Sequence, residues 1–353
     1  KSQLGLQLQL DCSSQGIVFV EASSTSTLRT LNYFDDVASI PFHHLLPEPE
    51  PEPLVQMQIT QFACGGFVMG LIFCHSICDG LGAAQFLNAV GELARGKGLD
   101  PLSVTPAWHR DFFHPNPNAP LPKQVPPPAP LPEYSLLHSN IDIPIQHINR
   151  LKKQFQESTG NTCSAFEIVA ASFWRCRTRA IYDYQYHQDQ GDGSGEKIKL
   201  VFFANCRELV DPPLPKGFYG NCFFPVTISG WSRGIGEASI NEVVKLIQEA
   251  KSKVGSEFRT YIKGEHGDAD DPFAPPLNYS TLFISEWGRL GFNNVDYGWG
   301  PPVHVVPIQG SAVIPAGIVA SLPLPAKGIR LMTWCVQEPH RPSFLHQISQ
   351  LLL

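Results

Sequence analysis

The sequence predicts a mixed α/β fold rich in antiparallel sheet and divided into two domains. Three observations lead there. Short stretches alternate apolar and polar residues, as at residues 54–62, and give way to turn residues such as Gly65-Gly66. Longer stretches place apolar residues near helical spacing, as do Leu81, Phe86, Val90 and Leu93. A proline-rich tract, residues 112–133, has the composition of an extended connector. A run of that length in a compact fold is most naturally an inter-domain crossover, and 353 residues is long for one core. The expected boundaries are a first domain at 1–111, the linker at 112–133 and a second domain at 134–353.

In chain order, residues 5–10 alternate as a strand does, and residues 16–20 repeat the signal after a turn, which predicts a hairpin. Residues 46–53 alternate Pro and Glu and read as an exposed polyproline-like spacer. The strand at 54–62 turns at Gly65-Gly66 into the apolar run 66–73, which reads as a buried strand. A helix over 81–94 ends near Arg95 to Gly98, a good C-cap. In the second half, strands are expected at 134–143, 198–204, 223–228 and 280–285, with several short ones over 303–336. Helices are expected at 148–156, 164–181, 239–254 and from Pro342. The helix at 164–181 reads as amphipathic and opens on Ser164 with Glu167 three residues on, a capping-box pattern.

Composition narrows the function classes. With 43% hydrophobic and 16% charged residues this is an ordinary soluble composition. A net charge of -6, with no Lys/Arg cluster beyond Lys152-Lys153, argues against nucleic acid as a partner. No segment approaches the roughly 20 apolar residues of a membrane helix, so no membrane span is expected. Nine cysteines, an odd number spread along the chain, do not form a disulfide framework. Cys64, Cys163, Cys206 and Cys222 sit in apolar settings that suit reduced core thiols, and a cytoplasmic location is expected. The chain opens at Lys1, so the lack of a leader says nothing.

The residues that invite chemistry are Cys74-His75-Ser76-Ile77-Cys78-Asp79-Gly80, where the apolar run passes into a helix. Loops at strand ends expose side chains over a rigid scaffold, though a histidine there serves structure as readily as catalysis. Cys78 as a nucleophile paired with His75 gains no assured geometry from three residues' spacing. A zinc site through Cys74, His75 and Cys78 lacks a second ligand pair, and no metal is expected. The chain has no glycine-rich phosphate loop or HExxH. What remains is His75 as a general base on a substrate's hydroxyl or amine, with Asp79 holding the loop or the ring. A second run, Asn294-Val295-Asp296-Tyr297-Gly298-Trp299-Gly300-Pro301, reads by itself as a tight structural turn with a buried Trp.

Together, the runs His75 to Gly80 (HxxxDG) and Asp296 to Gly300 (DYGWG) resemble the marks of the BAHD family of plant acyl-CoA-dependent acyltransferases. Further stretches are similar to that family: Cys163-Ser164-Ala165-Phe166-Glu167, Trp174-Arg175-Cys176-Arg177, Asn205-Cys206-Arg207, Pro212-Pro213-Leu214-Pro215 and Tyr219-Gly220-Asn221. The resemblance implies two chloramphenicol-acetyltransferase-like domains with mixed, largely antiparallel sheets and a channel between them. It implies His75 as the base that deprotonates the acceptor during direct attack on the thioester, without an acyl-enzyme. Asp79 is then a structural support, with Arg207 its matching partner. Ser285 and Trp287 become candidate oxyanion donors, Ser164 a cofactor contact near the CoA arm, and Asp296, Gly298, Trp299 and Gly300 formers of shape. Tyr297 departs from the family's usual Phe and adds a hydroxyl that needs a partner if buried. The family also normally has some tens of residues before the point where this chain starts.

The surrounding patterns look most like members acting on benzyl-type alcohols, monolignols or terpenoid alcohols such as taxanes. Transfer of a benzoyl or hydroxycinnamoyl group, favoured over acetyl, to a small apolar alcohol is therefore expected, with acyl-CoA as co-substrate, no permanently bound cofactor and a monomeric protein. An amine acceptor is the alternative, and a non-catalytic member that binds a ligand or partner in the channel is the rival from another class. A carrier-protein-dependent condensation domain shares the fold, but Cys74 replaces the first histidine of its HHxxxDG run and DYGWG is foreign to it.

Overall fold

A computed structural model describes residues 16–48, 54–96, 102–110, 134–188, 195–265, 271–307 and 314–352. The strand expected at 5–10, most of the Pro/Glu spacer and the 112–133 linker lie outside the described residues. The fold is mixed α/β with two open sheets. The chain forms two compact units, Lys1–Pro130 with Pro215–Asn221, and Leu131–Leu214 with Cys222–Leu353. The first unit thus takes in a short segment from the later half of the sequence.

In the first unit, β1 (Val18–Ser24) is followed by the one-turn helix α1 (Phe42–Leu45), then β2 (Val55–Phe62), β3 (Phe67–Phe73) and α2 (Gly80–Ala94). The sheet order is β1-β2-β3. β1 runs parallel to β2, with Val18 opposite Gln56, and β2 pairs antiparallel with β3, with Val55 opposite Phe73. The expected buried strand at 66–73 is half-buried instead: of β3 only Gly70 is fully covered, since β3 is an edge strand. Cys64 also departs from expectation. It lies exposed in the β2–β3 turn, where the Leu28 and Gly66 amides lower its thiol pKa. The turn is tight enough to leave no apolar enclosure for the sulfur.

The second unit contains β4 (Leu137–Pro144), α3 (Ile145–Thr159), α4 (Ala165–Gln188), β5 (Lys197–Asn205), β6 (Phe223–Trp231), α5 (Ser232–Glu237), α6 (Ile240–Ile262), β7 (Thr281–Glu286), β8 (Ala316–Ser321), β9 (Gly328–Val336) and α7 (Arg341–Leu352). Its sheet runs β4-β9-β8-β7-β5-β6, antiparallel at β4/β9, β8/β9 and β5/β6 and parallel at β7/β8 and β5/β7. α4 is the core of this unit. It packs on α3, α5, α6 and α7, and Ile168 to Trp174 are all buried. The amphipathic reading of this helix is therefore corrected in degree: most of its described length is buried, and a partly exposed strip that includes Arg175, Arg179 and Tyr182 is what remains of a polar face. Phe173 enters the space that Gly317 leaves open on β8. Arg177, 1% exposed, donates from Nε to the Cys335 carbonyl at 2.8 Å and from Nη2 to the Tyr279 carbonyl, over whose ring its guanidinium lies.

The start of α4 is fixed by the capping box that Ser164 and Glu167 predict. The Glu167 amide donates to Ser164 Oγ at 3.1 Å, and the Ser164 amide donates to Glu167 Oε2 at 2.9 Å. Gln248 and Lys251 of α6 also donate to this carboxylate. Burial raises the Glu167 pKa, but the bonds from Lys251, the Ser164 amide and Gln248 outweigh it, and the net shift is downward. The folded chain therefore holds this proton more weakly than the unfolded one. The stabilisation is whole above the ordinary glutamate range and is lost as pH falls through the lowered value. Glu167→Ala is expected to cost about 1–2 kcal/mol in urea unfolding at pH 7, allowing for the half-exposed Lys251, and clearly less near pH 3.

Candidate active site

β3 delivers the chain to Cys74, whose amide donates to the Leu54 carbonyl at 2.8 Å as the last bond of the sheet. The Ile77 amide then donates back to the Cys74 carbonyl at 3.0 Å, closing a turn with His75 and Ser76 at its centre. Both central residues are exposed, while Cys78 and Asp79 are each 7% exposed. The His75 ring stands 6.1 Å from that of Phe73. Asp79 is the N-cap of α2: its Oδ1 accepts from the Gly82 amide at 3.0 Å and its carbonyl accepts from Ala83 at 2.9 Å. Thus one turn offers an accessible imidazole and, four residues later, a buried carboxylate that starts a helix.

Two carbonyls of the turn are bonded from outside β3 and α2. His75 O accepts from Asn221 Nδ2 at 2.8 Å, and Ile77 O accepts from Arg110 Nη2. Arg110 lies 4.6 Å from the Trp108 ring and 5.3 Å from the Tyr219 ring. The segment bearing Tyr219 and Asn221 is itself tied down, since Gly217 O accepts from Ala107 N and from Gln85 Nε2 of α2, both at 2.9 Å. At Gly82 a Cβ would collide with the Tyr219 carbonyl, so the first turn of α2 can lie against this segment only as glycine. Sequence reasoning left Arg110 without a role. For Asn221 the only signal was its place in Tyr219-Gly220-Asn221.

The other expected site residues lie in the second unit. Ser164 is the N-cap described above. Arg207 donates from Nη1 to Asn205 Oδ1 at 3.1 Å. Ser285 lies near the end of β7 on the face opposite the buried Leu282 and Ile284, and is half-buried. Trp287 continues that face, its amide donating to the Val319 carbonyl at 2.8 Å and its ring 5.5 Å from Phe292. Between them, burial raises the pKa of Glu286. In the second motif, Asp296 Oδ1 accepts from the amides of Gly298 at 2.8 Å and Gly300 at 2.9 Å. Those glycines adopt φ of 111° and 94°, which disfavour side chains. Burial pushes the Tyr297 hydroxyl up to about 12. Trp299 is 81% exposed, which corrects the buried Trp read from this run. The carboxylate and the two glycines set this bend, so the indole need not be buried to hold it.

Among the described residues no group of three His, Cys, Asp or Glu side chains could hold a metal ion, and no helix is long and apolar enough to cross a membrane. A family model described as "Transferase family" matches residues 1–328. The chain is 38% identical to rice Acyl transferase 4 over 97% of its own length and 78% of the relative's. It is 32% identical to the 3'-N-debenzoyl-2'-deoxytaxol N-benzoyltransferase of Taxus canadensis, over 96% and 76% of the two chains. In fold it is similar to vinorine synthase, with a TM-score of 0.67 at 21% identity, covering 97% of this chain and 78% of that one. The chain belongs to the BAHD family of acyl-CoA-dependent acyltransferases. The close approach at Gly82 carries a consequence for stability. Gly82→Ala should cost about 1–3 kcal/mol, read as a lowered urea midpoint, because the Tyr219 backbone has to move.

Proposed function

We propose that the protein transfers an aromatic acyl group, benzoyl or hydroxycinnamoyl rather than acetyl, from acyl-CoA to the hydroxyl of a small apolar alcohol. His75 takes the hydroxyl proton as the oxygen attacks the thioester carbonyl. The tetrahedral intermediate then expels the CoA thiolate, which acquires a proton, and leaves the ester. The observation that carries this reading is the division of roles on one turn, with His75 exposed and Cys78 and Asp79 buried. A buried thiol is poorly placed to form a covalent acyl-enzyme, whereas an exposed imidazole suits direct base catalysis. Asp79 acts through the loop, as the cap that fixes where α2 begins. Ser285 and Trp287 are the proposed donors to the developing oxyanion, and Ser164 a proposed contact of the CoA arm.

The aromatic donor is favoured by the benzoyltransferase relative from Taxus, whose name also supports a second reading, transfer to an amine. The two readings separate in one assay. The protein is incubated with benzoyl-, hydroxycinnamoyl- and acetyl-CoA against mixed alcohols and amines, free thiol is followed, and products are treated with mild base, which cleaves esters and spares amides. His75→Ala should lower kcat by about 10²–10⁴-fold. Ser285→Ala should lower it by about 10²-fold with KM little changed. A His75→Ala enzyme as fast as wild type would end the base assignment.

A further inference from the structure

The turn that carries His75 is too short to orient itself. Its one internal bond, Ile77 N to Cys74 O, closes the turn but leaves the central peptide plane between His75 and Ser76 free to flip, the change that separates type I from type II turns. The carbonyl of that plane is His75 O, which Asn221 Nδ2 holds at 2.8 Å. The carbonyl at the exit of the turn is Ile77 O, which Arg110 holds. Arg110 touches both supports at once: its guanidinium also stacks with Tyr219, two residues before Asn221, and with Trp108 on the segment that bridges to Phe218. Gly220 is packed here too, where a Cβ would come within 3.2 Å of the guanidinium.

We propose that Arg110 is a positioning residue for His75: by bonding Ile77 O and bracing the Tyr219–Asn221 backbone, it fixes the exit and central peptide planes of the turn and hence the direction of the imidazole. The proposal rests on the reading of His75 as the base. Only a positioning role ties the effect of Arg110 to His75. A displaced base loses rate steeply, since an error of about 1 Å at the reacting atoms costs about 10²-fold.

The test uses Arg110→Met, which keeps an apolar stem and no donor, Arg110→Lys, which keeps a donor, and Asn221→Asp, a near-isostere that cannot donate to a carbonyl. Each is made alone and with His75→Ala, and kcat, KM for acyl-CoA and thermal midpoint are measured. Arg110→Met is expected to lower kcat about 10–100-fold with KM unchanged, and Arg110→Lys to recover most of that loss. In the His75→Ala background, Arg110→Met should cost nothing further, the signature of two residues acting as one unit. Should Arg110→Met not fold, Asn221→Asp carries the same expectation. Equal losses in the Met and Lys variants, tracking thermal midpoint, would reduce Arg110 to a structural residue and overturn the proposal. So would an undiminished kcat, or a full extra loss on top of His75→Ala. An inactive His75→Ala beside a fully active Arg110→Met leaves the base assignment intact and removes only the clamp. A fully active His75→Ala removes both.

Discussion

Where a strand passes directly into a helix, the backbone between them has carbonyls that neither element can bond, and each must be satisfied from elsewhere. In this protein that requirement falls on the six residues from Cys74 to Asp79. The Cys74 amide, just past β3, donates to the Leu54 carbonyl beside β2, and the first turn of α2 is bonded to Asp79 through the Gly82 and Ala83 amides. The two carbonyls in the middle are bonded by side chains far away in sequence, Arg110 and Asn221. The rest of the first unit follows from this need. The segment Pro215–Asn221 belongs there because it carries one of those donors, and Gly82 and Gly217 are glycines because that segment must pass close by. A hydrogen bond to a buried carbonyl is worth only about 1 kcal/mol net, so its effect on stability is modest. Its effect on direction is greater, because the bonded peptide plane carries His75.

Two motifs of the second unit follow the opposite principle, with their anchoring groups inside the same short span. Asp296 holds the two glycine amides that follow it within four residues, so the Asp-Tyr-Gly-Trp-Gly run makes its own bend without help from a distant element. Ser164 and Glu167 cap α4 reciprocally over the same short span. Longer-range bonds also tie this unit together, among them those from Lys251 to Glu167 and from Arg177, a charge inside the core, to the carbonyls of Cys335 and Tyr279. Its guanidinium joins α4 to β9 and to the approach to β7, a bonding role that one apolar side chain could not reproduce.

How far the sequence reveals these features depends on the distance over which each is specified. The strands at Val55–Phe62 and Lys197–Asn205 and the helix at Gly80–Ala94 were legible because alternation and helical spacing are local patterns. The Ser164 cap was legible for the same reason. The burial of α4 was not, because a helix packed against four others and β7 loses most of the polar face on which periodicity depends. Trp299 was misread since an aromatic residue between glycines says nothing about which way the bend faces. His75 and Asp79 could be picked out as a pair, but their separation into an exposed base candidate and a buried cap depends on the register of α2. Arg110 had no signal at all. Its role arises from contacts with Ile77, Trp108 and Tyr219, and only Trp108 is near it in sequence.

That separation also bears on the chemistry. A covalent acyl-enzyme needs a nucleophile that the thioester can reach, and a thiol one turn from the base would be the natural choice. Cys78 is turned inward by the same backbone that turns His75 outward: the chain is already entering α2, whose cap holds Asp79 against Gly82. To expose the sulfur would require breaking that cap, at a cost of about 1 kcal/mol, and would change the turn that sets His75. The Cys78 thiol and the imidazole are therefore not both presented by this turn. The turn thus presents the imidazole to solvent and keeps the Cys78 thiol from it, which is the local geometry on which the proposed direct transfer is argued.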